Sequence, residues 1–93
     1  MMIATNVYKA EKGLIRVSAE IEGDVILKIR ITGDFFMLPE RALLLLEGLL
    51  KGKAFERPAI SGALDEFYGS GVETPCVTKE DFLEAISGAK NEV

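Results

Sequence analysis

Few side chains in this sequence can do chemistry. There is no histidine, so the side chain that titrates near neutrality and most often ligates metals is missing. Cys76 is the single cysteine, and it follows Pro75 just before a helical segment. A thiol so placed can serve as a nucleophile or sulfur acceptor. With no histidine as its base, the competing reading is a small apolar filler. Glu11, Glu20, Glu22, Asp24 and Asp34 fall in turns or at outward strand positions, where solvated carboxylates belong. Glu80, Asp81 and Glu84 lie in the first turns of a helix and favour its dipole. No spacing resembles a metal loop or a phosphate cradle. No catalytic, cofactor-binding or metal-binding residue is assigned.

The remaining candidates are contact residues. Gly33-Asp34-Phe35-Phe36 is the feature that packing explains least. Adjacent aromatics in extended chain point to opposite sides, so one ring can join the core while the other is left exposed or covered by a partner. Alternatively, the chain bends after Asp34 and buries both. Leu44 lies among polar residues of a helix, as a lone exposed leucine or as part of a contact surface. Arg16 and Arg30 share the outer face of a strand pair, either as solvated side chains or as a basic patch for an anionic partner. The candidate partner interface is therefore Gly33, Asp34, Phe35, Phe36, Leu44, Arg16 and Arg30.

The elements that position these residues start with the stretch Gly13 to Pro39, GLIRVSAEIEGDVILKIRITGDFFMLP. Its two alternating runs predict an antiparallel hairpin with one apolar face. Ile15, Val17, Ala19 and Ile21 are expected to share that face with Val25, Leu27, Ile29 and Ile31. A two-residue loop at Gly23-Asp24 would set Ile21 opposite Ile26 and put polar residues of one strand beside core residues of the other. A three-residue loop, Glu22 to Asp24, pairs Ile21 with Val25, Val17 with Ile29 and Arg16 with Arg30, and is the expected register. Ile3 to Ala10 alternates weakly and reads as a short edge strand.

Three helices follow in the sequence pattern. Pro39 suits a first helical position; Ala42, Leu43, Leu45, Leu46, Leu49 and Leu50 form the apolar stripe, and Glu47 and Lys51 an i,i+4 pair. Gly48 marks a close approach of another element. Ile60, Ala63, Leu64, Phe67 and Tyr68 form the stripe of the second helix, which stops at Gly69. In the third, Thr78 and Asp81 read as a capping box, with Val77 and Phe82 as a hydrophobic staple. No linker or repeat divides the chain, so residues 1–93 are expected to form a single α+β domain: a two- to three-stranded antiparallel sheet packed against about three helices.

Composition narrows the function. A net charge of −4 argues against nucleic acid as the main partner. No apolar run approaches the roughly 18 residues needed to span a bilayer, and the N-terminus lacks a signal-peptide pattern. A cytoplasmic location without membrane association is expected.

The string GLIRVSAEIEGDVILKIRITGDFF, followed by PERALLLLEGLLKG, resembles the C-terminal accessory domain of lipoate–protein ligases. Cys76-Val77-Thr78-Lys79-Glu80-Asp81-Phe82 is similar to that domain's closing Gly-Val-Thr-x-x-Asp pattern, with cysteine where the family usually has glycine. The likeness runs from about Tyr8 to Ala89. It implies a fold similar to sulfur-acceptor and iron–sulfur scaffold proteins of the SufE and NifU kind. It also implies the small, non-catalytic subunit of a bipartite ligase, inactive alone. The implied partner is a separate large catalytic subunit in a heterodimer. ATP, Mg and lipoate would bind that subunit and none of them this chain, and lipoyl-acceptor proteins would be reached indirectly. The alternatives are a sulfur or iron–sulfur handling protein using Cys76, and an adaptor of another enzyme.

Overall fold

The computed structural model describes residues 1–91. Strands β1 (Met2–Ala10), β2 (Gly13–Glu22) and β3 (Val25–Asp34) come first. Helices α1 (Ala42–Leu50), α2 (Arg57–Gly69) and α3 (Lys79–Ser87) follow, and β4 (Lys90–Asn91) closes the order. The sheet is antiparallel with strand order β3-β2-β1-β4. The α+β class is as expected, with four strands rather than two or three. β1 is more than a short edge strand: it pairs with β2 along its whole length, from Met2 opposite Ile21 to Ala10 opposite Gly13. β4 covers its other side only at Ala4 and Thr5. Its weak alternation has a plain cause. Ala4 and Ala10 are its buried residues, and Asn6 fits beneath α3 because its amide Nδ2 donates to the Ala85 carbonyl at 2.9 Å. Ile3 and Val7 face outward and are exposed.

The hairpin register corrects the expected one. Gly23 and Asp24 form a two-residue turn with φ of 55° and 63°, the left-handed pair that matches strand twist in tight hairpins. Ile21 stands opposite Ile26. Pairing then slips at Glu20/Ile21, so that Glu20 faces Lys28 while Leu27 has no partner. This β-bulge absorbs one residue and restores the alternation beyond it. Ile26 is buried before the bulge and Ile29 and Ile31 after it, whereas Val25 and Leu27 are exposed. Turn chemistry and burial are thus both satisfied, the case that a choice between two unbulged registers leaves out. Val17 pairs with Ile31 rather than Ile29. Arg16 stands opposite Thr32 and Ser18 opposite Arg30, so the two arginines are diagonal neighbours rather than a direct pair.

The helices cover one face of this sheet. α1 lies over β3, α3 over β1 and β2, and α2 packs against both other helices. One core joins the layers, with Ile15, Ile26, Leu46, Leu50, Ile60, Leu64, Phe67, Phe82 and Ile86 fully buried. α1 begins later than Pro39, which follows a cis peptide bond and whose carbonyl accepts the Ala42 N–H in a turn. Ala42, Leu46 and Leu50 are the buried residues of α1, and Leu45, expected in the stripe, is exposed. Glu47 turns from Lys51 toward the sheet: its carboxylate accepts the Ile31 N–H at 2.8 Å and so caps part of the β3 edge. Farther along that edge, Ile26 N–H donates to the Lys53 carbonyl and Gly52 N–H to the Ile26 carbonyl. Gly48 marks no close approach, since a Cβ there would meet open space. The capping box of α3 forms as expected: Thr78 Oγ1 accepts the Asp81 N–H, and Asp81 Oδ2 accepts the Thr78 N–H.

Candidate functional site

The end of β3 decides how the aromatic pair is presented. Gly33 has φ of +156°, and a Cβ at this position would run into the Leu14 carbonyl oxygen and lie 2.9 Å from Phe35 Cε2. Only glycine fits. The chain leaves the sheet here without burying both rings. Phe35 turns inward and packs edge-on against Phe82, ring centroids 5.4 Å apart at 88°. Phe36 turns outward and is 72% exposed. The next residues are braced: Leu38 N–H donates to the Glu73 carbonyl at 2.8 Å, and Glu73 N–H donates back to Leu38 at 2.9 Å. Met37 is buried while Leu38 is 51% exposed, so the segment carries two outward apolar side chains on a backbone fixed at both ends.

Around them runs a groove of about 540 Å³ whose walls include Thr32, Gly33, Phe36, Leu38, Glu40 and Leu43. A smaller depression of about 280 Å³ on the outer sheet face is lined by Thr5, Val7, Arg16, Ser18, Arg30 and Thr32. Thr32 belongs to both. The structure therefore brings Gly33, Phe35 and Phe36 together at the groove, and Arg16 and Arg30 together on the sheet. It does not bring Asp34 or Leu44 to either. Asp34 is exposed at the end of β3, opposite Leu14. Leu44, 70% exposed, lies beside Leu45 on the outer side of α1. Leu38, Leu43 and Thr32 are the contributors that sequence reasoning missed. The only hint was that Phe36 and Leu38 continue a period of two beyond the strand.

Cys76 is half-buried and free, in the loop between α2 and α3. That loop is held by Thr74, whose hydroxyl donates to the Val77 carbonyl at 2.7 Å and meets the Tyr68 hydroxyl at 2.8 Å. Burial pushes the Tyr68 phenol above its ordinary pKa. The Tyr8 phenol is also raised, first by desolvation and then by the nearby Asp81 carboxylate, whose Oδ1 it approaches at 3.4 Å. Among the described residues, no three His, Cys, Asp or Glu side chains converge as a metal site, and no helix is long and apolar enough to cross a membrane.

Residues 4–86 match the family model described as the bacterial lipoate protein ligase C-terminus. The chain belongs to this family. Lipoate-protein ligase A subunit 2 of Thermoplasma acidophilum is 45% identical over 86 residues, covering 92% of this chain and 88% of that protein. A solved chain from the same archaeon's lipoylation system, described as a bi-partite lipoate protein ligase and its E2 lipoyl domain, superposes with a TM-score of 0.86. It is 44% identical and covers 91% of this chain and 94% of its own length. The matched span, residues 4–86, includes both the GDFF segment and the capping box of α3.

Proposed function

We propose that this chain is the non-catalytic small subunit of a two-chain lipoate–protein ligase. It forms a heterodimer with a separate large catalytic subunit and is required for ATP-dependent activation of lipoate to lipoyl-AMP, and so for protein lipoylation. The observation that carries this reading is the likeness to an archaeal subunit 2 over nearly the full length of both proteins. The side chains agree with it. The chain has no histidine and one cysteine, and its most exposed aromatic, Phe36, stands on a braced segment with no chemistry of its own. We assign ATP, Mg and lipoate to the large subunit, the acceptor proteins to the assembled ligase, and the heterodimer to the cytoplasm.

The contribution of such a subunit is positional. In adenylation a lipoate carboxylate oxygen bonds to the α-phosphorus of ATP as the bond to pyrophosphate breaks. That step needs both substrates aligned and water excluded. A small subunit seated through Phe36 can hold an active-site loop of the large one closed. Transfer from lipoyl-AMP to a lysine amine starts from an already activated carbonyl and needs this less. Lipoate-dependent ATP–pyrophosphate exchange by the large subunit should therefore require this chain, while transfer from supplied lipoyl-AMP persists without it. Full exchange by a large subunit shown by mass spectrometry to be free of this chain overturns the proposal. Cys76→Ala is expected to leave the assembled ligase active. A loss of tenfold or more in turnover, about 1.4 kcal/mol of barrier, in a folded variant would instead favour the sulfur-handling reading.

A further inference from the structure

The subunit reading leaves open what kind of surface the partner presents, and the junction at Thr32 bears on it. On the outer sheet face the cross-strand rows can be read from the register. Ile3, Glu20 and Lys28 form one row, Lys90, Thr5, Ser18 and Arg30 the next, Val7, Arg16 and Thr32 the third, and Lys9, Leu14 and Asp34 the fourth. Carboxylates lie in the flanking rows, Glu20 diagonal to Arg30 and Asp34 diagonal to Arg16. The two middle rows hold both guanidiniums, the Lys90 ammonium, three hydroxyls and no acid. Neither Arg16 nor Arg30 takes part in a salt bridge among the described residues. Diagonal neighbours on one sheet face stand about 7–8 Å apart, close enough for both to meet one acidic patch. Both lie on a chain of net charge −4, so this positive patch is local and opposes the overall charge.

The apolar groove begins where this patch ends, at Thr32. Buried aromatics give interfaces their tenacity by filling a pocket, whereas rim charges chiefly govern encounter and register. We infer that the groove and the arginine patch form one composite docking surface for the large subunit, whose contact face offers an apolar pocket for Phe36 and Leu38 flanked on the sheet side by carboxylates. This inference rests on the heterodimer reading and adds to it the chemistry of the partner's surface and a division of labour. Phe36 retains the partner, and Arg16 with Arg30 speeds its arrival.

The test is association kinetics between the full chain and the separately purified large subunit, by surface plasmon resonance at 50 and 500 mM NaCl. Phe36→Ala should raise koff at least tenfold and leave the salt dependence of kon unchanged. The double variant Arg16→Glu/Arg30→Glu should lower kon at least tenfold at 50 mM NaCl and much less at 500 mM, with koff little changed. Arg16→Gln/Arg30→Gln should fall between it and the parent. Circular dichroism melts establish that each variant is folded, as expected because Arg16, Arg30 and Phe36 are all exposed. If the parent chain fails to bind the large subunit, the heterodimer reading itself fails. If the parent binds but the charge-reversed, folded variant keeps the parent's kon at low salt, the composite surface alone is overturned. A koff unmoved by Phe36→Ala also overturns it.

Discussion

Two neighbouring phenylalanines differ here in everything but type. Phe35 is partly buried and packed edge-on against Phe82, so Phe35→Ala is expected to destabilise the fold by about 2 kcal/mol, below the roughly 3–5 kcal/mol of fully buried aromatic truncations because the ring is incompletely buried. Phe36→Ala should move stability by less than about 0.5 kcal/mol while weakening the complex. Urea denaturation of both variants checks the contrast. Two glycines make a second pair. Gly33→Ala forces a Cβ into the Leu14 carbonyl, and a loss of more than about 2 kcal/mol is expected. Gly48→Ala adds a methyl into open space on α1 and should gain up to about 1 kcal/mol from helix propensity. Thermal melts distinguish the two, and a destabilised Gly48→Ala would mean that its surroundings are not open.

Among the elements, the β2–β3 hairpin carries the most specific claim. Leu27 is the extra residue of the bulge, between Ile26 paired with Ile21 and Lys28 paired with Glu20. Deleting it leaves every other cross-strand pair available in one continuous register. The deletion variant is expected to fold with Ala19 still opposite Ile29, within about 2 kcal/mol of the parent. Nuclear Overhauser contacts between Ala19 and Ile29 report this directly, and their absence would show that the bulge is required to shape the strand. In α3 the reciprocal bonds of Thr78 and Asp81 satisfy two helix-end donors, so Thr78→Ala should cost about 1 kcal/mol, read as a lowered urea midpoint. Glu47 on α1 plays a comparable part for β3, because its carboxylate takes the Ile31 N–H that an edge strand otherwise leaves to solvent.

At the scale of the whole molecule, charge and packing act together. Both tyrosine phenols are raised above their ordinary pKa of 10.0. The folded chain therefore holds these protons to higher pH than the unfolded chain does. Their contribution is fully present below about pH 10 and is lost as pH rises through the folded values. Stability is expected to be level from neutrality to about pH 9 and to fall above 10. Tyr68→Phe, which keeps the ring in the core, should lessen that fall. Denaturation midpoints against pH check the sign, and stability that rises above pH 10 would contradict it. The arginine patch and the Phe36 groove meet at Thr32, so charge and exposed apolar surface adjoin on the folded chain.

The sequence by itself determined the class of fold, the order of its main elements and the family. Periodicity reports burial whenever one face of an element is covered, and β2, α2 and α3 show it cleanly. It also determined that one of two adjacent aromatics could be left outside. It did not determine which, because Phe35 and Phe36 are identical to any local rule, and only Phe82, nearly fifty positions away in the chain, selects Phe35. The hairpin register was likewise undecidable by pattern alone. Val25, Ile26 and Leu27 are all apolar, so a bulge costs no polar burial and leaves no mark in the sequence. β4 is two residues long and β1 hides its core face under Ala4, Asn6 and Ala10, so their pairing rests on neighbours rather than on composition. The meeting of Arg16, Arg30, Thr32 and Phe36 is a product of strand register and a turn at Gly33. Those are long-range facts, fixed when the sheet closes over its helices.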